Sequence, residues 1–292
     1  MAKNALKDKS LYAGSCIALT TKHAKSLAIA PAFLEKLDAQ VFEYIVDTDK
    51  LGTFSGEITR QGTALECVRK KCAWPFTHLN TQIEYGLANE GSFGPHPLLP
   101  FLPCDYEILY FIDRKQNFHL HLSHVSEKTN YRMQSLDSLE ALQKFANDTL
   151  FPSHALILRP NSKGINQPLF KGVASTIDLE AAFNECIKYS SDKKVWVETD
   201  MRAQYNPSRM KVIAELASKF ADQLKNHCPR CASPGWGKVR QEKGLRCSQC
   251  GSATELVKSE IFGCVKCDYE ENHNRFDHIT EADPSHCPYC NP

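Results

Sequence analysis

Apolar positions along the chain switch repeatedly between the short runs of a strand and the three-and-four spacing of a helix. Ser15 to Thr20 reads as a short buried strand. Lys25 to Leu37 then follows helical spacing, with Leu27, Pro31, Leu34 and Leu37 at the apolar positions. Val41 to Val46 predicts a second strand. Gly62 to Phe76 predicts a helix with Leu65, Val68 and Cys72 on one stripe and Pro75 near its end. Gln82 to Asn89 is read as another strand. Tyr106 to Ile112 and Phe118 to Val125, separated by Arg-Lys-Gln-Asn, predict a hairpin. Further on come a helix over Leu136 to Thr149, a strand over Ala155 to Arg159, a helix over Leu179 to Tyr189 and a strand over Val195 to Glu198. A long helix from about Ser208 to His227 carries Met210, Ile213, Leu216, Ala217, Phe220 and Leu224 on its buried stripe.

Strands alternating with helices argue for an α/β layered domain, here a mixed sheet with helices. The last helix leads straight into a cysteine-rich tail, so the expected boundary lies near Lys225. Residues 1–225 would form the α/β domain with a polar cleft at its strand ends, and 226–292 a small double zinc-ribbon module.

The tail carries the chain's strongest chemical signal. Cys228/Cys231, Cys247/Cys250, Cys264/Cys267 and Cys287/Cys290 are four Cys-x-x-Cys pairs, separated by fifteen, thirteen and nineteen residues. Each pair offers two thiolates from one tight turn, and two pairs close one tetrahedral zinc site. Eight thiols therefore predict two zinc ions. Turn residues within each segment favour joining neighbouring pairs into consecutive ribbons. Cross-brace pairing, first with third and second with fourth, is the alternative. Eight cysteine ligands leave no open coordination position, which points to structural rather than catalytic metal. The other five cysteines, Cys16, Cys67, Cys72, Cys104 and Cys186, lie among apolar neighbours and read as small buried hydrophobes.

Composition changes this picture little. Of 292 residues, 42% are hydrophobic and 24% charged, and the formal net charge of +1 gives no global basic field for nucleic acid. Lys238, Arg240, Lys243 and Arg246 beside Trp236 make a modest basic cluster, offset by Glu270, Glu271, Asp277, Glu281 and Asp283. Met1 to Ser10 has no apolar core of a leader peptide, and the apolar stretch Leu98 to Ile112 is broken by Pro100, Pro103 and Asp105. A cytoplasmic location with no membrane partner is the expectation.

Four polar segments fall at strand ends, where α/β sheets place their ligands. Thr20-Thr21-Lys22-His23-Ala24-Lys25 offers lysines and a helix N-terminus to an anion. Asp47 to Arg60 holds two glycines with Asp49 and Glu57, oxygen ligands suited to a hard cation such as Mg²⁺. Asn89 to Pro97 reads as a glycine-rich turn bearing Glu90 and His96. Glu198 to Arg209 packs Asp200, Arg202 and Arg209 between a strand and the long helix. Carboxylates for metal, cations for anion and glycine for close approach are the components of phosphoryl chemistry. The expected anion-binding set is Thr20, Lys22, Lys25, Arg202 and Arg209. Asp49, Glu57, Glu90 and Asp200 are candidate metal ligands or base, and His96 a candidate proton donor. His119 and His121, two apart on one strand face, read as half-exposed strand residues.

Long motifs here carry a resemblance. Asp-Thr-Asp-x-x-Gly-Thr-Phe-Ser-Gly-Glu-Ile, Asn-Glu-Gly-Ser-Phe-Gly-Pro-His-Pro, Glu-Thr-Asp-Met-Arg-Ala and the closing Ala-Asp-Pro-x-x-Cys-x-x-Cys-Asn-Pro resemble the uncharacterised bacterial domain-of-unknown-function family 6671, from Cys16 to Pro292. That resemblance implies an intact enzyme-like domain joined to cysteine-rich ribbons. Separately, the strand–Thr-x-Lys-His-x-Lys–helix opening is similar to the Thr-x-Asn-x-x-Lys entry of inosine-triphosphate pyrophosphatase-like enzymes, which bind Mg²⁺ through later acidic residues. Here histidine and lysine replace the asparagine pattern.

The function expected is Mg²⁺-assisted hydrolysis of a phosphorylated small molecule or nucleotide, with zinc holding the tail together. The alternative is a binding module in which the ribbons grip RNA or a protein and the α/β domain serves as scaffold or ligand sensor.

Overall fold

A computed structural model describes residues 10–52, 60, 62–79, 82–162 and 167–292, apart from the side chains of Asp49 and Leu51. Helices and strands alternate over most of the chain, and the α/β class read from the sequence holds. Two sheets, rather than one, precede the cysteine-rich tail.

The first sheet has five strands in the order β2-β1-β3-β4-β5: β1 (Cys16–Thr21), β2 (Gln40–Ile45), β3 (Tyr85–Pro95), β4 (Pro103–Asp113) and β5 (Phe118–Ser126). β1 runs parallel to both of its neighbours, while β3, β4 and β5 form an antiparallel meander. Helices α1 (Ser26–Leu37) and α5 (Pro207–Lys225) cover one face. Phe33 of α1 and Ile213, Leu216 and Phe220 of α5 are buried there against Ile17, Leu19, Leu87 and Phe111. Helix α2 (Ala64–His78) covers the other face, placing Val68 and Cys72 on Ala88, Ile108 and Tyr110. Thr63 and Glu66 start α2 with a reciprocal capping box, which satisfies two backbone donors at its first turn.

The second sheet is antiparallel, in the order β6-β9-β7-β8: β6 (Met133–Leu136), β7 (Leu156–Pro160), β8 (Phe170–Val173) and β9 (Val195–Thr199). Alternation decides its two faces. Leu156, Leu158, Val195 and Val197 point into a core closed by α3 (Leu139–Asp148) and α4 (Thr176–Lys188). Ile157, Trp196 and Glu198 belong to the opposite face, and two of these three line the cavities described below.

The tail forms a third, three-stranded antiparallel sheet of β10 (Gly237–Lys243), β11 (Val257–Gly263) and β12 (Glu270–Asn274). Trp236, whose ring stacks on Tyr269 at 5.7 Å, anchors its base, and Gln223 of α5 donates to the carbonyl of Gly235 at 3.1 Å.

One sequence expectation fails here. Asn89 to Pro97 is no turn as far as Pro95, because those residues are the second half of β3, paired in register with β4 from Asn89↔Leu109 to Pro95↔Pro103. Glycine serves a different purpose in it. A Cβ at Gly91 would collide with the Arg209 guanidinium and the Glu107 carboxylate, which cross directly over the strand.

Candidate functional site

β1 stops at Thr21 while β3 continues to Pro95, so the parallel part of the first sheet ends in a step. A small cavity of about 50 Å³ fills that step, opposite the second sheet. Such a volume admits several water-sized groups, or one tetrahedral oxyanion. Members of all four polar segments meet in its wall: Thr20 to His23 with Lys25, Thr48 with Gly52, Asn89 with Glu90, and Arg202. Lys71 of α2, Ile157 of β7 and Lys171 of β8 complete it.

The wall is cationic. Among the described residues, Lys22, Lys25, Lys71, Lys171 and Arg202 face it with one carboxylate, Glu90. Each placement has a visible cause. Lys25, buried at the start of α1, donates from Nζ to the Asn89 carbonyl at 3.0 Å. Burial and the neighbouring Arg209 outweigh Glu107 and Glu90 and push its amine down to about 7. Arg202 is gripped by Asp200, with Nε–Oδ1 at 3.0 Å and Nη2–Oδ2 at 2.5 Å, and lies 4.5 Å over the Tyr205 ring. Asp200 is fully buried and also accepts from the Gly172 N–H at 3.0 Å. Its oxygens therefore position Arg202 and the β8 backbone rather than facing the cavity. Lys22 pairs with Asp47 at 2.9 Å. The buried Thr20 hydroxyl has no hydrogen-bond partner among the described residues.

Glu90 is held by both of its oxygens, by Lys71 at 2.5 Å and Arg60 at 2.8 Å. Burial alone would raise its carboxyl, but Lys71, Lys25 and Arg60 win and keep it below the ordinary range. The helix N-terminus contributes side chains rather than backbone donors. Ser26 N–H is taken by Glu43 at 3.2 Å, and Leu27 N–H by the Ala24 carbonyl.

Other expected residues lie elsewhere. Arg209, expected to neutralise an anion, is 1% exposed and shut behind the cavity, its Nε on Glu107 at 2.6 Å. His96 sits at the far end of the β3–β4 hairpin, with Nδ1 accepting from Leu98 and Leu99 N–H groups. Glu57 and the Asp49 side chain lie outside the described residues. His119 and His121 stack on Tyr110 along the surface of β5. Cys67, Cys72, Cys104 and Cys186 are buried, and burial raises each thiol, Cys186 to about 12, so none is poised as a nucleophile. Cys16 departs from the expectation by being exposed.

A second compartment of about 250 Å³ adjoins the first, sharing Gly52, Glu90 and Ile157 in its wall. Phe93, Tyr131, Met133, Glu198 and Met201 make up most of the remainder. Glu198, Met201 and Phe93 fall within the polar segments read from the sequence but are not among the expected site residues, and Tyr131, Met133, Lys71 and Lys171 lie outside those segments. A lysine on a helix and another on a four-residue strand carry no local mark that separates them from solvated charge.

The eight tail thiols converge in two groups, Cys228, Cys231, Cys264 and Cys267, and Cys247, Cys250, Cys287 and Cys290. Pairing is thus interleaved, first with third and second with fourth, which overturns the consecutive ribbons favoured by turn chemistry. The sheet explains it. The pairs at 228–231 and 264–267 flank the same end of the β10–β11 ladder, where Gly237 pairs with Gly263. The pair at 247–250 sits in the connection at the other end and meets 287–290 returning after β12. Sγ···Sγ separations of 3.5 to 3.9 Å link facing knuckles, and the sulfurs of each group all lie within 4.8 Å of one another. Four sulfurs at Zn–S bonds of about 2.3 Å stand about 3.8 Å apart, so both groups fit a tetrahedral metal ion. Among the described residues, no third such group of ligating side chains occurs.

The basic cluster of the tail is spent internally. Lys238 pairs with Glu260, Arg240 with Glu270 and Lys243 with Glu255, and Arg246 donates to the Gly251 carbonyl.

Residues 71–292 match the family described as Domain of unknown function (DUF6671). The chain belongs to this family. The match takes in Lys71, Glu90, Lys171, Arg202 and all eight tail thiols, and leaves out the Thr20–Lys25 segment, although the motif resemblance extends from Cys16 onward. No curated protein and no solved structure matches the chain. Among the described residues, no helix is long and apolar enough to cross a membrane.

Proposed function

We propose that this DUF6671 protein binds a phosphorylated small molecule in the strand-end cleft, and that its tail is stapled by two structural zinc ions. The observation that carries the first part is the meeting, among the described residues, of five cationic side chains and one carboxylate around a cavity the size of an oxyanion. Arg202 and Lys71 are pre-positioned by Asp200 and Glu90, so little side-chain entropy is lost when an anion arrives. For the second part, all-cysteine ligation with no open position is the donor set of structural zinc.

Binding is favoured over turnover. Glu90 is the described carboxylate in the cavity wall, and its two oxygens are already engaged by cations, which leaves it a weak base. A hydrolytic reading needs Mg²⁺ held by the Asp47–Arg60 segment, whose Thr48 and Gly52 reach the cavity. Turnover of a generic phosphoester with Mg²⁺, abolished in Asp49→Ala, supports hydrolysis. No turnover in the intact chain leaves a binding protein.

The binding claim is tested by calorimetry with inorganic phosphate. Arg202→Ala is expected to weaken binding by about 10- to 100-fold, the loss of one or two charge-assisted hydrogen bonds. Phosphate binding unchanged by that substitution removes the cleft from consideration.

Affinity should also depend on pH with a definite sign. Lys25 faces Arg209, Lys71, Glu107 and Glu90, and its amine in the free protein is pushed down to about 7. An incoming anion favours the charged form, so binding takes up a proton above that pH. Above about pH 8, where free phosphate is already the dianion, its affinity is therefore expected to fall as pH rises further, and Lys25→Met to flatten that fall. Affinity that is flat in the unaltered protein rules out a role for Lys25.

A further inference from the structure

The larger compartment differs from the cationic cavity beside it: among the described residues its lining cation, Arg60, is already paired with Glu90 at 2.8 Å, and a second carboxylate enters its wall. Glu198 projects into it from the open face of β9. Trp196 Nε1 donates to Glu198 Oε2 at 3.0 Å, and no ion pair to this carboxylate occurs among the described residues. Burial raises its carboxyl above the ordinary range, and the opposing pull of Trp196, Arg159 and Lys171 does not cancel that rise. Tyr131 lines the same compartment as Glu198; burial raises its phenol, and the nearby carboxylate adds to that rise. A partly buried carboxylate lacking a counter-cation is costly, and a cation brought to it relieves that cost.

Its aromatic neighbours point the same way. Tyr131 and Phe93 lie 5.8 Å apart, tilted by 32°, so they already touch and no flat ring fits between them. Phe93 has the Arg209 guanidinium 5.1 Å from its centroid. Aromatic faces beside a carboxylate, with a methionine wall, suit a compact ammonium better than a stacked heterocycle.

The two compartments share Gly52, Glu90 and Ile157, so one small molecule can span both. We infer that the ligand is a phosphorylated amine, its phosphate in the cationic cavity and its protonated amine at Glu198 against Tyr131. This rests on the phosphate-binding reading of the cleft and adds to it the class of ligand and the residue that selects it.

Calorimetry on the full chain with matched pairs tests it, using O-phosphoethanolamine against ethyl phosphate and glucosamine 6-phosphate against glucose 6-phosphate, alongside inorganic phosphate. The amine member of at least one pair is expected to bind about ten-fold tighter or better, which is one extra charge-assisted contact. Glu198→Gln should bring the two members of that pair within about two-fold of each other. Tyr131→Leu should narrow the gap part-way. Equal binding within both pairs overturns the inference, as does an amine preference that survives Glu198→Gln. In those outcomes inorganic phosphate still binds and the cleft reading stands. If neither phosphate nor any ester binds, both fall together.

Discussion

Replacing Cys228 and Cys267 together is expected to remove one of two bound metal equivalents, whereas replacing Cys228 and Cys250 together removes both. The first pair of residues belongs to one four-thiol group and the second pair is divided between the two groups. Consecutive pairing predicts the reverse, so metal content by elemental mass spectrometry decides between them. The structural consequence should be large. Binding of structural zinc contributes about 10–16 kcal/mol to the folding of small domains at neutral pH. The tail has little else, since β10 and β12 are largely exposed and the buried apolar side chains near them are few. Interleaving makes the two ions interdependent, because each clips one end of the same three-stranded sheet. Loss of the 228–231–264–267 ion is therefore expected to expose β11 amides to hydrogen exchange as far as Ser259. Protection persisting across β11 in the Cys228/Cys267 variant argues that the sheet stands without that staple.

The physics of what could be read in advance is uneven. Helix α5 was legible because Ile213, Leu216, Ala217, Phe220 and Leu224 repeat at helical spacing and are all buried. The hairpin of β4 and β5 was legible because its strands are apolar and its turn polar. β6 and β8 were missed, since each has four residues and neither has a solid apolar run. The carboxyl half of β3 was misread because two glycines and a proline look like a turn, and only the ion pair crossing over Gly91 explains the first of them. Thiol pairing is a tertiary property: local turn residues describe each knuckle but do not say which knuckles a sheet brings together. The same limit applies to the cleft. Segments rich in charge were identifiable, but which side chains face the cavity depends on contacts such as Asp200 with Arg202, which no spacing reveals.

Arg209→Met should be the most damaging single change in the α/β part, costing about 3–5 kcal/mol, the usual loss when one member of a buried pair is removed. Arg209 and Glu107 are both essentially inaccessible. The guanidinium also donates to the Met201 carbonyl at 2.5 Å, and Glu107 Oε2 accepts from Asn89 Nδ2 at 2.9 Å. At about 2–4 °C per kcal/mol for a chain of this size class, the melting temperature should fall by roughly 10 °C. Joint replacement of Arg209 by Met and Glu107 by Leu should recover much of the loss, because no charge is then stranded. The penalty should also grow with pH. Asp105, two residues from Glu107 on β4, is pushed up to about 8 by burial and by Glu107, against the pull of Arg209. A carboxyl raised in the folded state retains a proton that the unfolded chain releases, so its contribution is complete below about pH 4 and is lost as pH rises through about 8. Without Arg209 the two carboxylates repel unscreened, Asp105 rises further, and the variant should lose more stability between pH 6 and 8.5 than the parent. Equal losses at both pH values would show that Arg209 acts through packing on Phe93 rather than through charge. Arg209 also holds down the Lys25 amine from behind the cavity wall. The same substitution should therefore shift the pH dependence of phosphate binding upward, tying the buried pair to the cleft it supports.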